Sequence, residues 1–311
     1  MKAIRFHEYG GPEVLRLEQD VPEPELADDA VLVAVRAASV NPIDWKIRSG
    51  ARQKDFPLTL PAIPGRDLSG VVRAVGPAVR DIAPGDAVIA LAEATYAERV
   101  AVPAALLTRL PEGLDPIDAA ALPLAILTGD QLVRRSAGVE AGQTVLVGGA
   151  LGSVGRAAVH AAHRLGARVV AGVRGRQADE AAALGAAAVV ALDDEDALAR
   201  LGPVDAVADT VGGAVAERLL GLVRPGGRFG YASVLPDGAA ERHPEVTVAR
   251  VFARPDPATL RAFAEDARDG RFVLPVSRRV PLAEAADAQA PMEAGGGGKI
   301  VLVVDDAATA G

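Results

Sequence analysis

Val145-Leu146-Val147-Gly148-Gly149-Ala150-Leu151-Gly152-Ser153-Val154-Gly155 runs from an apolar strand into a glycine-rich turn. The stretch Arg156-Ala157-Ala158-Val159-His160-Ala161-Ala162 predicts a helix after the turn, and Arg168 to Val173 predicts a second strand. Strand, turn, helix and strand within roughly 30 residues make a dinucleotide-binding βαβ unit. Gly149 permits a tight exit from the strand, Gly152 lets main-chain N–H groups face a pyrophosphate, and Gly155 lets the helix pack closely on the sheet. Ala150 interrupts the strictest G-x-G-x-x-G form, so the motif takes its weight from the strand before it and the helix after it. An anion would sit at the helix N-terminus, beside Ser153 and Val154, where unpaired N–H groups and the positive end of the macrodipole favour it.

The second strand ends at Arg174-Gly175-Arg176. A cofactor carrying only ribose hydroxyls is commonly held there by Asp or Glu, whereas a 2′-phosphate needs cationic donors. Two guanidinium forks supply them, which favours NADPH over NADH. The alternative is a pair of solvated loop arginines.

Composition narrows the partners. The chain has 311 residues, half of them hydrophobic, a formal net charge of -8 and no cysteine. Its length allows two domains. Without cysteine there are no disulfides, thiolate nucleophiles or cysteine-based zinc sites. The acidic balance argues against a nucleic-acid partner. No apolar run approaches a membrane span, and the start Met1-Lys2-Ala3-Ile4-Arg5-Phe6 has no signal-peptide pattern, so a cytoplasmic protein acting on small molecules is expected.

Along the chain the expected class is α/β. Residues 1–120 hold short β-type runs separated by proline and glycine, among them 31–35, 70–76 and 87–90, which predict an antiparallel, barrel-like domain. Residues 121–254 alternate helix and strand, with six strands near 144–148, 168–173, 187–191, 204–209, 227–232 and 248–252, as in a doubly wound parallel sheet. From Asp256 onward come a helix at 257–269, a β run at 272–280, a helix at 282–291 and a strand at 299–304, so that 255–311 is expected to complete the first domain. Gly295 to Gly298 precedes a strand rather than a helix and reads as a connector, and the tail 305–311 as a fraying end.

Several separate segments share one resemblance. They include Ser39-Val40-Asn41-Pro42-Ile43-Asp44-Trp45-Lys46, Pro64-Gly65-Arg66-Asp67-Leu68-Ser69-Gly70, Pro84-Gly85-Asp86, Thr95-Tyr96-Ala97-Glu98 and Ala121-Leu122-Pro123-Leu124-Ala125-Ile126-Leu127-Thr128. Asp209-Thr210-Val211-Gly212-Gly213, Arg224-Pro225-Gly226-Gly227 and Gly298-Lys299-Ile300-Val301-Leu302 extend it over nearly the whole chain. Together they resemble the zinc-independent medium-chain dehydrogenase/reductases, and among these the quinone oxidoreductase-like members. The resemblance implies a GroES-like β-barrel catalytic domain, a Rossmann domain, an active site in the cleft between them and a homodimer. It places Asn41, Pro42 and Thr128 beside the nicotinamide, and makes Lys46 a candidate for contact with cofactor ribose or substrate oxygen. An exposed Lys46 paired with Asp44 is the alternative. Thr210, Val211 and Gly212, with Ala232 and Ser233, follow strand carboxyl ends, where open parallel sheets place ligands. Relatives with zinc carry cysteine near Ser39 and Gly-His-Glu near Gly65-Arg66-Asp67, so the metal ligands are absent by residue type. His160 and His163 read as surface or packing histidines. The loop Arg52-Gln53-Lys54-Asp55-Phe56 holds no tyrosine proton donor, and Ala191-Leu192 replaces an Asp-Tyr that contacts the adenosine phosphate in many relatives.

Without a Lewis acid, conjugated acceptors are easier substrates than simple alcohols or ketones. An enone or quinone spreads the charge left by an arriving hydride, and a few donors at its oxygen stabilise the enolate. The expected function is thus NADPH-dependent hydride transfer to a quinone or α,β-unsaturated carbonyl compound, with asparagine and lysine at 41 and 46 as the catalytic candidates. An enoyl-thioester or secondary-metabolism tailoring reductase is the alternative in the same class. A catalytically silent NADPH-binding sensor or scaffold is the alternative outside it.

Overall fold

The computed structural model describes residues 1–293, 296 and 298–304. The chain divides into two compact units, the first comprising Met1–Leu124 together with the described residues from Pro255 onward, the second Ala125–Arg254. The first unit opens with the antiparallel pair β1 (Ala3–Arg5) and β2 (Arg16–Glu18). β3 (Ala30–Val40), α1 (Pro42–Arg48), β4 (Asp67–Val75), β5 (Ala87–Leu91), β6 (Arg99–Pro103), β7 (Leu107–Arg109) and α2 (Pro116–Ala119) follow. α3 (Pro123–Gln131) carries the chain into the second unit, which holds β8 (Thr144–Gly148), α4 (Ser153–Arg164), β9 (Arg168–Val173), α5 (Ala178–Ala182) and β10 (Ala188–Ala191). It continues through α6 (Glu195–Leu201), β11 (Val204–Asp209), α7 (Gly213–Leu220), β12 (Val223–Tyr231) and β13 (Thr247–Arg250). α8 (Pro257–Arg268), β14 (Val276–Pro281), α9 (Ala285–Glu293) and β15 (Lys299–Val303) return to the first.

The long run of β3 is almost wholly buried and makes it the centre of a seven-stranded sheet in the order β14-β15-β3-β4-β5-β7, with β6 also pairing β3. All its pairings are antiparallel except that of β14 with β15. Val31, Val33, Val35, Leu68, Val88, Ile300 and Leu302 share one core, so the last strand fills the interior that the first hundred residues begin. β14 starts later than the apolar run from 272 suggests. Pro275 has no N–H for a ladder, and Phe272 instead packs edge-on against Phe263, 5.5 Å between ring centroids.

The second unit is a parallel sheet in the order β10-β9-β8-β11-β12-β13. Its strands are short apolar runs such as VLV and AVA, which suit burial on both faces. The chain direction of winding reverses between β8 and β11, which is the topological switch point where such sheets take ligands. β12 begins at Val223, ahead of the expected 227, because a register shift between Val204 and Ala206 of β11 lets Pro225-Gly226-Gly227 bulge while pairing continues on both sides. The expected connector at 295–298 falls partly, and the tail at 305–311 wholly, outside the described residues.

Candidate active site

At the switch point β8 ends in Gly148 and the chain turns through Gly149, whose φ of 75° is left-handed. Gly149 N and Ala150 N both donate to Gly172 O, at 2.9 and 3.0 Å, which ties the turn to β9. Gly152 caps α4, and the helix opens with the N–H groups of Ser153, Val154 and Gly155, which have no preceding helical carbonyl to bond. A Cβ on Gly155 would stand 2.0 Å from Gly149 O, so only glycine lets α4 start this close to the turn. The result is a shallow main-chain cradle at a helix N-terminus, the geometry a pyrophosphate requires. α3 also lies tight against α4: a Cβ on Gly129 would be 2.6 Å from Val154 O, and half-buried Thr128 precedes that glycine on α3.

The neighbouring strand ends join the same edge. Thr210 Oγ1 donates to Gly148 O at 2.7 Å. Asp209 is buried and accepts from Val211 N at 3.1 Å and Gly212 N at 2.8 Å, which fixes the 210–212 loop. Burial lifts its carboxyl to about pH 6 against the pull of those two donors. Ala232 N donates to Asp209 O at 2.9 Å, and a Cβ on Gly212 would meet Ser233 Oγ at 2.8 Å. Residues 149–155, 210–212 and 232–233 therefore form one continuous rim, as the sequence reading expects of their positions after strand carboxyl ends. Arg174 and Arg176 stand exposed at the end of β9.

In the first unit Asn41 follows β3 and caps α1, its N–H donating to Asp44 Oδ2 at 2.8 Å. The Asn41 side chain is engaged at both ends. Nδ2 donates to Asp67 Oδ2 at 2.7 Å, and Oδ1 accepts from Lys299 Nζ at 2.7 Å. Ser39 Oγ also donates to Asp67, whose other oxygen accepts from Leu124 N at 2.6 Å. Lys299 lies 3.4 Å from Asp67 Oδ2, and both are buried. Burial pushes the Lys299 ammonium down in pKa while Asp67 opposes the change. Pro42 starts the helix, where its missing N–H costs nothing.

Asp44 turns inward, accepting from Tyr96 OH at 3.0 Å, rather than out to Lys46. Burial raises its carboxyl to about pH 7, with the Asp67 charge adding to the rise and the Asn41 N–H opposing it. The Tyr96 hydroxyl is pushed well above its ordinary value by the same burial and by Asp44, so it stays a donor. Lys46 is half-buried, its Nζ 5.6 Å from the Trp45 ring. Sequence reasoning singled out Asn41 and Lys46 but missed the support beneath them: Asp44, Asp67, Tyr96 and Lys299. Asp67 and Lys299 stood in quoted motifs, yet they are 232 positions apart, and only the sheet brings them together. Among the described residues no group of three or more His, Cys, Asp or Glu is arranged to hold a metal ion. No helix among them is long and apolar enough to cross a membrane.

Comparison with known proteins agrees with this architecture. The family model for the alcohol dehydrogenase GroES-like domain matches residues 27–112, and that for zinc-binding dehydrogenase matches residues 184–302. The quinone oxidoreductase structure from Coxiella burnetii superposes with a TM-score of 0.88 at 31% identity, covering 98% of this chain and 99% of that one. The NADPH-dependent alkenal/one oxidoreductase of Arabidopsis thaliana, chloroplastic, is 36% identical over 242 residues, 73% of this chain and 61% of that protein. Human quinone oxidoreductase is 40% identical over 172 residues, 55% of this chain and 52% of that protein. The chain thus spans between half and two thirds of the length of these two relatives.

Proposed function

The chain belongs to the quinone oxidoreductase-like medium-chain dehydrogenase/reductases, and from that premise we propose that it is a zinc-independent, NADPH-dependent reductase of quinones or α,β-unsaturated carbonyl compounds. The observation that carries the reading is the rim at the switch point of the parallel sheet. There the 149–155 cradle, the 210–212 loop held by Asp209 and the 232–233 segment share one edge, with two exposed arginines at the end of the next strand. The relatives' names, alkenal/one oxidoreductase and quinone oxidoreductase, support the substrate class.

Bound NADPH would supply the hydride. In this reading the cradle of Gly149, Ala150, Gly152, Ser153, Val154 and Gly155 holds the pyrophosphate on helix N–H groups, and Arg174 and Arg176 hold the 2′-phosphate. Thr128, Thr210, Val211, Gly212, Ala232 and Ser233 line the path toward the nicotinamide. Lys46 donates to the substrate oxygen and so stabilises the charge that develops there. Asn41 and Pro42 shape the turn from which Lys46 projects, and Asn41 does so as a fixed element because its amide is held by Asp67 and Lys299. A solvent proton completes the two-electron reduction of the acceptor.

The decisive assay mixes the protein with NADPH and a panel of quinones and enones and follows the absorbance of the reduced nicotinamide. Consumption with at least one of them is expected. Tight NADPH binding without any consumption would overturn the reading. We further infer a cytoplasmic homodimer. β13 leaves one edge of the six-stranded sheet open, and Phe252 and Val234, half exposed, lie on either side of it in sequence. Light scattering that gives a monomer would refute the dimer, and cell fractionation that finds the protein outside the cytoplasm would refute the location.

A further inference from the structure

The bend after β9 carries a negative charge that the cofactor reading does not use. Gly175, between the two arginines, donates its N–H to Asp193 Oδ1 at 2.7 Å. Arg174 N donates to Gln177 Oε1 at 3.3 Å, and Gln177 N to Arg174 O at 2.8 Å. With these main-chain donors occupied, an anion at the bend depends on guanidinium groups. Arg174 and Arg176 are exposed and form no ion pair among the described residues. Asp193 follows β10, whose Ala191 lies opposite Val173 of β9, so the register itself sets the acidic bend beside the basic one. The next acidic residues turn elsewhere. Asp194 caps α6, accepting from Ala197 N at 3.0 Å, and Glu195 lies 3.6 Å from Arg218.

We propose that Asp193 determines cofactor specificity: its carboxylate holds the 174–176 bend and opposes the 2′-phosphate, so the chain accepts NADH alongside NADPH. The proposal rests on the reading that Arg174 and Arg176 contact that phosphate. Like charges a few ångströms apart at a protein surface repel appreciably. NADH brings no phosphate to the bend, and its ribose hydroxyls can donate to a carboxylate, as they do at the acidic residue of many dinucleotide sites. The two arginines and Asp193 therefore pull the preference in opposite directions.

The test measures dissociation constants of NADPH and NADH for the full chain by fluorescence titration. Asp193→Asn keeps an oxygen to accept from Gly175 N and removes only the charge. NADPH should then tighten about fivefold to tenfold at low salt, NADH should stay the same or weaken, and the gain should shrink as salt rises. Asp194→Asn removes an equal charge one position along and preserves a capping side chain, so the NADPH-to-NADH ratio should move less than about twofold. An unmoved ratio in Asp193→Asn, or an equal change in both variants, overturns the proposal. The double change Arg174→Ala with Arg176→Ala separates the two layers. A selective loss of NADPH there, with no effect of Asp193→Asn, leaves the phosphate reading intact and removes only the role of Asp193. An equal loss of both cofactors overturns the phosphate reading and this proposal with it.

Discussion

Asp44 shows how a single side chain acquires a property that its neighbours in sequence do not suggest. In Asn41-Pro42-Ile43-Asp44-Trp45-Lys46 it looks like a solvent partner for Lys46, but the first turn of α1 buries it, and there Tyr96 and the Asn41 N–H meet one oxygen. Its carboxyl titrates near pH 7, raised above the unfolded value by burial. A raised acid stabilises the fold below the unfolded value and loses that contribution as pH rises through the folded one. Stability from this group therefore falls between about pH 4 and 7, with a slope approaching about 1.4 kcal/mol per pH unit. Asp44→Asn keeps one oxygen for both donors and cannot ionise. In urea unfolding from pH 5 to 8, the variant should gain stability relative to the parent as pH rises. Parallel pH profiles for the two proteins would mean that Asp44 does not titrate in this window. Asp209, near pH 6, contributes the same trend lower down in both proteins and so cancels in the comparison.

At the scale of elements, the β8–turn–α4 unit was legible because its signal is local. A strand of β-branched residues, glycines at the turn and an alanine-rich helix each act over a few residues, and the bounds of β8 and β9 coincide with the expected ones. The close contact between Gly155 and Gly149 O is the part of this unit most sensitive to change. Gly155→Ala forces a methyl into backbone that cannot yield as a side chain would, at a cost of about 1–3 kcal/mol. Thermal unfolding should move down by several degrees, and NADPH affinity should fall about tenfold or more as the helix N-terminus shifts from the cradle. Wild-type affinity and melting temperature in that variant would show that the turn has slack. The elements read less well were those set by pairing. β12 extends over Pro225-Gly226-Gly227 because β11 accommodates a register shift, and β14 begins only after Pro275, both decided by the ladder partner rather than by the run of residues.

For the whole molecule, continuity in sequence and continuity in space diverge. The second unit is one unbroken stretch with its own parallel sheet and a core of Leu146, Val207, Leu219 and Phe229. The first needs β14 and β15, since β15 lies between β14 and β3 and supplies Ile300 and Leu302 to the core. Expressed alone, residues 123–254 should unfold cooperatively in urea and keep measurable NADPH binding, whereas residues 1–124 should show no cooperative transition by circular dichroism. Cooperative unfolding of 1–124 would contradict this dependence on the last strand. The amino-acid sequence by itself determined the α/β class, the six parallel strands and the dinucleotide turn, because helix period, apolar runs and glycine sterics act over short distances. Only the tertiary structure decided that Lys299 reaches Asn41 and Asp67, that Asp44 is buried on Tyr96, and that Asp193 sits on the bend between two arginines. Such contacts join residues distant in the chain, and sheet order and register, which no local propensity encodes, bring them within hydrogen-bond reach.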